Sequence, residues 1–191
     1  MTDEQLFDRA HDVNFEFKEA IADAQLQILD GMWEIGGLGY GESPRSCGTS
    51  GYSFELRRDT PPEFKLENSA AETAEHIGAW LDDHGWSSIS IRTDSEGIAD
   101  IVIEAKKPDA FVDRMLVDVK PAPETYDIVT VTATSTCEPG DWKTIEDLRR
   151  PAELTDTIDL ELKPESEHPT AAPSFGYTPD GKRRFWDEAD D

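Results

Sequence analysis

Apolar residues recur along this chain with two periods, one helical and one of strands. From Ser69 onward, Ala74, Ile77, Trp80 and Leu81 fall at three- and four-residue steps, while Glu75, Asp82 and Asp83 lie off that stripe. Ser69 and Glu72 have the spacing of a capping box, with Asn68 as an alternative cap. Gly85 ends the helix, because glycine enters the left-handed region without steric cost, and Trp86 can fold back on the last turn. A longer stripe runs from Glu4 to about Leu29 through Leu6, Ala10, Val13, Phe17, Ala20, Ala24 and Ile28. Phe7, Phe15 and Ile21 widen it, so this helix has much apolar surface to bury.

Elsewhere the period is two. Tyr52, Phe54 and Leu56 point one way, and Ser53, Glu55 and Arg57 the other. Ile89 and Ile91, the run Ile98–Ala105, Met115–Val119 and the β-branched stretch Tyr126–Thr136 follow, with a turn predicted at Ser95-Glu96-Gly97. Neighbouring strands of this kind pair most simply as an antiparallel meander. The expected fold class is therefore α+β, an antiparallel sheet of about four to six strands with the two amphipathic helices on one face.

Punctuation divides the chain into residues 1–141, the α+β domain, and 142–191, an acidic C-terminal extension. In the extension, Trp142–Arg150 predicts a short helix and Thr157–Leu162 a strand. Pro164–Pro173 has the composition of a mobile segment. Phe175, Tyr177, Phe185 and Trp186 then flank an Asp180-Gly181 turn. Aromatics are costly to leave in water, so this segment reads as a small hairpin docked on its own domain, with a partner-binding tail as the alternative.

Charge changes the picture most. The formal net charge is −24 over 191 residues, which sets the chain against nucleic-acid backbones and anionic lipid surfaces, since each phosphate contact needs a cation. Solubility, a surface built for a basic partner, and mimicry of nucleic-acid charge are the three readings of such acidity. Apolar runs stay short of the roughly 20 residues that span a bilayer, so no membrane insertion is expected. The acidic, helical N-terminus lacks the layout of a signal peptide, and a cytoplasmic location follows as the expectation.

Candidate chemistry is thin. His76 and His84 share a helix but stand roughly 80° apart around its axis, too far to chelate one metal unaided. His84 suits the carbonyl end of its helix, and His11 and His168 have no marked company. The glycines between Met32 and Gly51 are followed by no Gly-Lys-Ser/Thr, which argues against a phosphate loop. Calcium loops, serine elbows and marked cysteine–histidine pairs are missing too. Neither an enzyme, a cofactor nor a metal is expected. Cys47 lies in a Gly/Ser-rich loop and Cys137 at a strand end. They read either as two thiols of a reducing cytosol or as a disulfide tying loop to sheet.

The order Trp33, Cys47-Gly48, Tyr52-Ser-Phe, the helix Ala70–His84 closed by Gly85-Trp86, and strands leading to Thr-Ser-Thr-Cys137-Glu-Pro-Gly resembles the LppA-like small cell-envelope lipoproteins of actinobacteria. The similarity covers about Trp33 to Asp141. It implies a compact α+β domain bracketed by Cys47 and Cys137, and implies that the two pair; it brings no catalytic residues. Unlike that group, the chain is not expected to carry a lipoprotein signal or lipidated N-terminal cysteine, since its first residues, MTDEQLFDRAHDV, are acidic and contain no cysteine.

The function expected from these features is a non-enzymatic acidic binding protein, an immunity or antitoxin-type factor that masks a basic protein partner. Glu4, Asp8, Asp12, Glu16, Asp82 and Asp83 are the candidate partner-facing residues. The alternative is a signal-less relative of an envelope lipoprotein with a structural or small-ligand-binding role.

Overall fold

Thr2 opens the first helix by accepting a hydrogen bond from the Gln5 amide, while the Gln5 side chain takes the Thr2 amide. The helix, α1, runs over Asp3–Leu26. It stops short of the expected Leu29 because the amides of Ile28 and Leu29 both turn back onto the Gln25 carbonyl. The structure, a computed structural model, describes residues 1–37, 39–93, 100–150 and 164–185. The Ser95-Glu96-Gly97 turn, the Thr157–Leu162 strand and Trp186 lie outside the described residues.

After α1 come short strands β1 (Trp33–Ile35), β2 (Arg45–Cys47) and β3 (Gly51–Ser53), then β4 (Glu55–Asp59). Helix α2 covers Ala70–Asp83, capped reciprocally by Ser69 and Glu72 as the spacing predicts. Gly85 follows at φ +79°, and the Trp86 amide donates to the Leu81 carbonyl. Strands β5 (Ser87–Thr93), β6 (Ile101–Lys107), β7 (Val112–Lys120) and β8 (Ile128–Ser135) form the meander. Between β6 and β7 the chain makes one 3-10 turn, and Phe111 takes a left-handed φ of 56° before β7 begins.

The main sheet has the order β10-β1-β4-β8-β7-β6-β5, antiparallel throughout, with β10 being Ser166–Glu167. The five longer strands are those the alternation predicts. Two short ones, β1 and β10, extend one edge and bring the number to seven. Register fixes the faces: Arg58, Val131, Val117, Ile103 and Ile91 form one row across the sheet, and Arg57, Thr132, Leu116, Glu104 and Ser90 the adjacent row on the other side. Both helices cover the first face, α2 over β5 and β6, and α1 over β7 and β8. Gly78 lets α2 approach closely, since a methyl group there would stand 2.9 Å from Ile91.

Residues after 141 enter the same core. Helix α3 (Trp142–Leu148) packs on α1 and buries Ile145. Strands β11 (Ser174–Tyr177) and β12 (Arg183–Phe185) form a hairpin that seats Phe175, fully buried, against Phe7, His11 and Phe54. A small sheet of β2, β3 and β9 (Glu138–Pro139) carries the two cysteines close together; Cys47 and Cys137 form a disulfide with Cα atoms 5.8 Å apart.

Candidate binding groove

Over β4 and β1 the core face of the sheet carries no closely packed helix among the described residues. The chain between β10 and β11, residues 168–173, crosses there instead, and it stands off from α1 to leave a groove of about 440 Å³. Phe15, Ala22 and Leu26 line it from α1, Leu56 and Arg58 from β4, and Pro169 to Pro173 from the crossing segment. Three turns of α1 thus present one flank to this space, because residues three and four apart share a side of a helix.

The charges at its base are already matched. Arg58, inward-facing because it alternates with Leu56 along β4, donates from Nη1 to the carbonyls of Gly39 and Arg57 and from Nη2 to Glu167 at 3.1 Å. Burial pulls its guanidinium below the usual value and Glu167 opposes that. Lys18 Nζ stands 3.7 Å from Glu42 and donates to the Ser174 carbonyl. Glu42 itself is 1% exposed. Its carboxylate accepts from Arg149 Nη2 at 3.1 Å and Ser174 Oγ at 2.6 Å, and Arg183 donates to the same serine hydroxyl. Tyr40 is hydrogen-bonded from its hydroxyl to the Pro164 carbonyl, and the Arg183 guanidinium lies 4.8 Å from its ring centroid. This network fastens the glycine-rich loop, α3 and the C-terminal hairpin to the flank of α1.

Two polar features of the groove have no such match. Gln25 is 5% exposed yet lines the groove, and its carboxamide has no hydrogen-bond partner among the described residues. Glu19 and Asp23, exposed at the rim and one turn apart, have no cation beside them among the described residues.

Glu4, Asp8, Asp12 and Glu16 form one exposed line along α1, and Glu19 and Asp23 prolong it toward the groove. Asp82 and Asp83 are exposed too, but at the end of α2, which covers the β5–β6 end of the same face, away from this line. The structure therefore gathers the first four and leaves the last two apart.

The histidines remain scattered. His11 donates or accepts at 3.0 Å with Asp12 and packs on Phe15, and burial lowers its pKa. His84 stacks on Trp80 and meets its carbonyl at 2.7 Å, at the helix end expected of it. His168 lies 3.2 Å from Asp30. Among the described residues no group of three or more His, Cys, Asp or Glu side chains is placed to hold a metal ion. No helix among them is long and apolar enough to cross a membrane.

The groove residues escaped the sequence pattern for a physical reason. Gln25 and Arg58 occupy inward positions on regular elements, where alternation predicts apolar side chains, and Glu42 sits in a glycine-rich loop with no period at all. The one available signal was Arg58, two residues beyond Leu56 and hence on the same face. Compared with protein-family models, curated proteins and solved structures, the chain matches none.

Proposed function

We propose that this chain is a non-enzymatic binding protein that receives a basic protein partner along the exposed face of α1. The observation that carries the reading is the line Glu4, Asp8, Asp12, Glu16, Glu19 and Asp23, which extends for about 30 Å at the helical rise. Beneath it Val13, Phe17 and Ile21 are fully buried, so the carboxylates ride on a firmly packed element. A field of one sign speeds encounter with a basic surface and fixes its register. The net charge of −24 disfavours nucleic acid as that partner. An immunity-type factor of this sort would act in the cytoplasm beside the protein it masks.

Affinity purification from the native host at low and moderate salt tests this, alongside an Asp8→Lys/Asp12→Lys variant. A single basic partner, retained at low salt and lost both on raising salt and in the variant, supports the reading. An empty capture, or one indifferent to the variant, overturns it.

One observation favours a second reading. The Cys47–Cys137 disulfide suits an oxidising compartment, where a relative of the envelope lipoproteins would use the groove for a small ligand. A thiol count on native material decides between them: two free thiols fit the cytoplasm, and none fits the envelope.

A further inference from the structure

We infer that the groove beside α1 is a docking site for an extended peptide segment that carries a basic side chain. The inference rests on the reading of a basic protein partner and names the part of it that is gripped.

Three features converge. The first is the Gln25 carboxamide, 5% exposed and without a partner among the described residues, which opens into the groove. Its donor and acceptor, facing the groove, are matched by the carbonyl and N–H of a peptide group. The second is shape. From Phe15 to Leu26 the flank of α1 extends about 16 Å, the length of about five extended residues. A lining of Phe15, Leu26 and Leu56 on one side and prolines and alanines on the other suits small apolar side chains. The third is charge. Arg58 is neutralised by Glu167 and Lys18 lies beside Glu42, so among the described residues the charges left open at the rim are the carboxylates of Glu19 and Asp23. They attract a lysine or arginine and repel an acidic segment.

The test is NMR titration of the isotope-labelled full chain with pools of blocked peptides of about five residues, one pool with a central lysine and one with a central glutamate, the flanking residues randomised. The lysine pool is expected to shift the Gln25 side-chain amide saturably, with an affinity that falls as salt is raised toward about 0.5 M; the glutamate pool leaves it unmoved. Ala22→Phe, which fills the groove from the exposed side of the helix, abolishes the effect. Gln25→Met, of similar shape, weakens binding about fivefold. The dispersion of the amide spectrum reports whether each variant is folded. No shift at Gln25 with the lysine pool, equal binding of the glutamate pool, or undiminished binding in folded Ala22→Phe overturns the inference. Asp8→Lys/Asp12→Lys separates the two proposals: peptide binding that survives in it while no partner is captured from the host leaves the groove standing and the acidic-face reading fallen.

Discussion

The guanidinium of Arg149 stands 3.1 Å from the carboxylate of Glu42, across 107 positions of sequence, and neither side chain is more than 4% exposed. A pair so buried contributes little net stability over an apolar pair, but breaking it strands a charge. Glu42→Ala would leave Arg149 paired only with Glu146, at 2.6 Å, remove the carboxylate beside Lys18 and take the acceptor from the Ser174 hydroxyl proton. Because one partner remains, the expected loss is toward the lower end of about 3–5 kcal/mol, read from denaturant unfolding, with Glu42→Gln losing less because it keeps hydrogen-bonding atoms in place. A loss below about 1 kcal/mol, the range of exposed pairs, would mean that water reaches this site.

Tyr52 poses the opposite case. It is fully buried, and its hydroxyl has no hydrogen-bond partner among the described residues. Tyr52→Phe removes an unsatisfied group and keeps the ring that meets Phe54, so stability is expected to hold or rise by up to about 1 kcal/mol. Burial, seconded by Glu138, pushes the Tyr52 pKa up to about 12. An unfolded tyrosine ionises near pH 10. The folded state is therefore the weaker acid: the contribution is fully present below about pH 10 and is lost as pH rises toward 12. Stability measured across that window should fall less steeply in Tyr52→Phe. Tyr40, also raised to about 12 chiefly by burial, keeps part of the alkaline loss in that variant.

Strands β6 to β8 and helix α2 were legible in the sequence because each buries one face only, so polar and apolar positions alternate at the period of the element; β5, which buries no residue fully, was legible through Ile89 and Ile91 alone. The Ser69–Glu72 cap and the Gly85 stop are local chemistry and needed no tertiary information. What alternation could not reveal is where an element buries charge. Arg58 follows the strand rule in position and breaks it in kind, because Glu167 arrives from more than a hundred residues away to receive it. Phe175 is similar: the aromatic segment read as a hairpin, but nothing local said that its ring completes the core between Phe7 and Phe54. The groove follows from β4 and β1 having no closely packed helix over them among the described residues, and such a gap leaves no period to find.

Two glycines separate backbone strain from crowding. Gly85 has φ +79° with open space where a Cβ would stand, so Gly85→Ala is strained by conformation alone, by about 1–2 kcal/mol. At Gly51 a methyl group would lie 2.7 Å from Cys137 Sγ and 2.9 Å from the Glu138 carbonyl oxygen, both held in place. Overpacking of this kind costs about 1–3 kcal/mol. Gly51→Ala should also loosen the β3–β9 pairing, seen as faster amide exchange there, whereas exchange in Gly85→Ala rises only around the end of α2.

The Cys47–Cys137 bond spans 90 residues, and the ring it closes contains β4 through β8, most of the main sheet. Cross-linking so long a stretch limits the unfolded chain more than the folded one, worth about 4–5 kcal/mol on the chain-entropy model and about 2–5 kcal/mol in practice. The double variant Cys47→Ser/Cys137→Ser is expected to lose stability in that range. Wild-type protein in reductant should unfold at the same denaturant concentration as the variant, and reductant should leave the variant unchanged. Because the constraint acts on the unfolded chain, the folded form keeps its packing, with Phe175 in place between Phe7 and Phe54. Wild type that unfolds identically with and without reductant would show the two sulfurs unbonded in solution and remove the argument for an oxidising compartment.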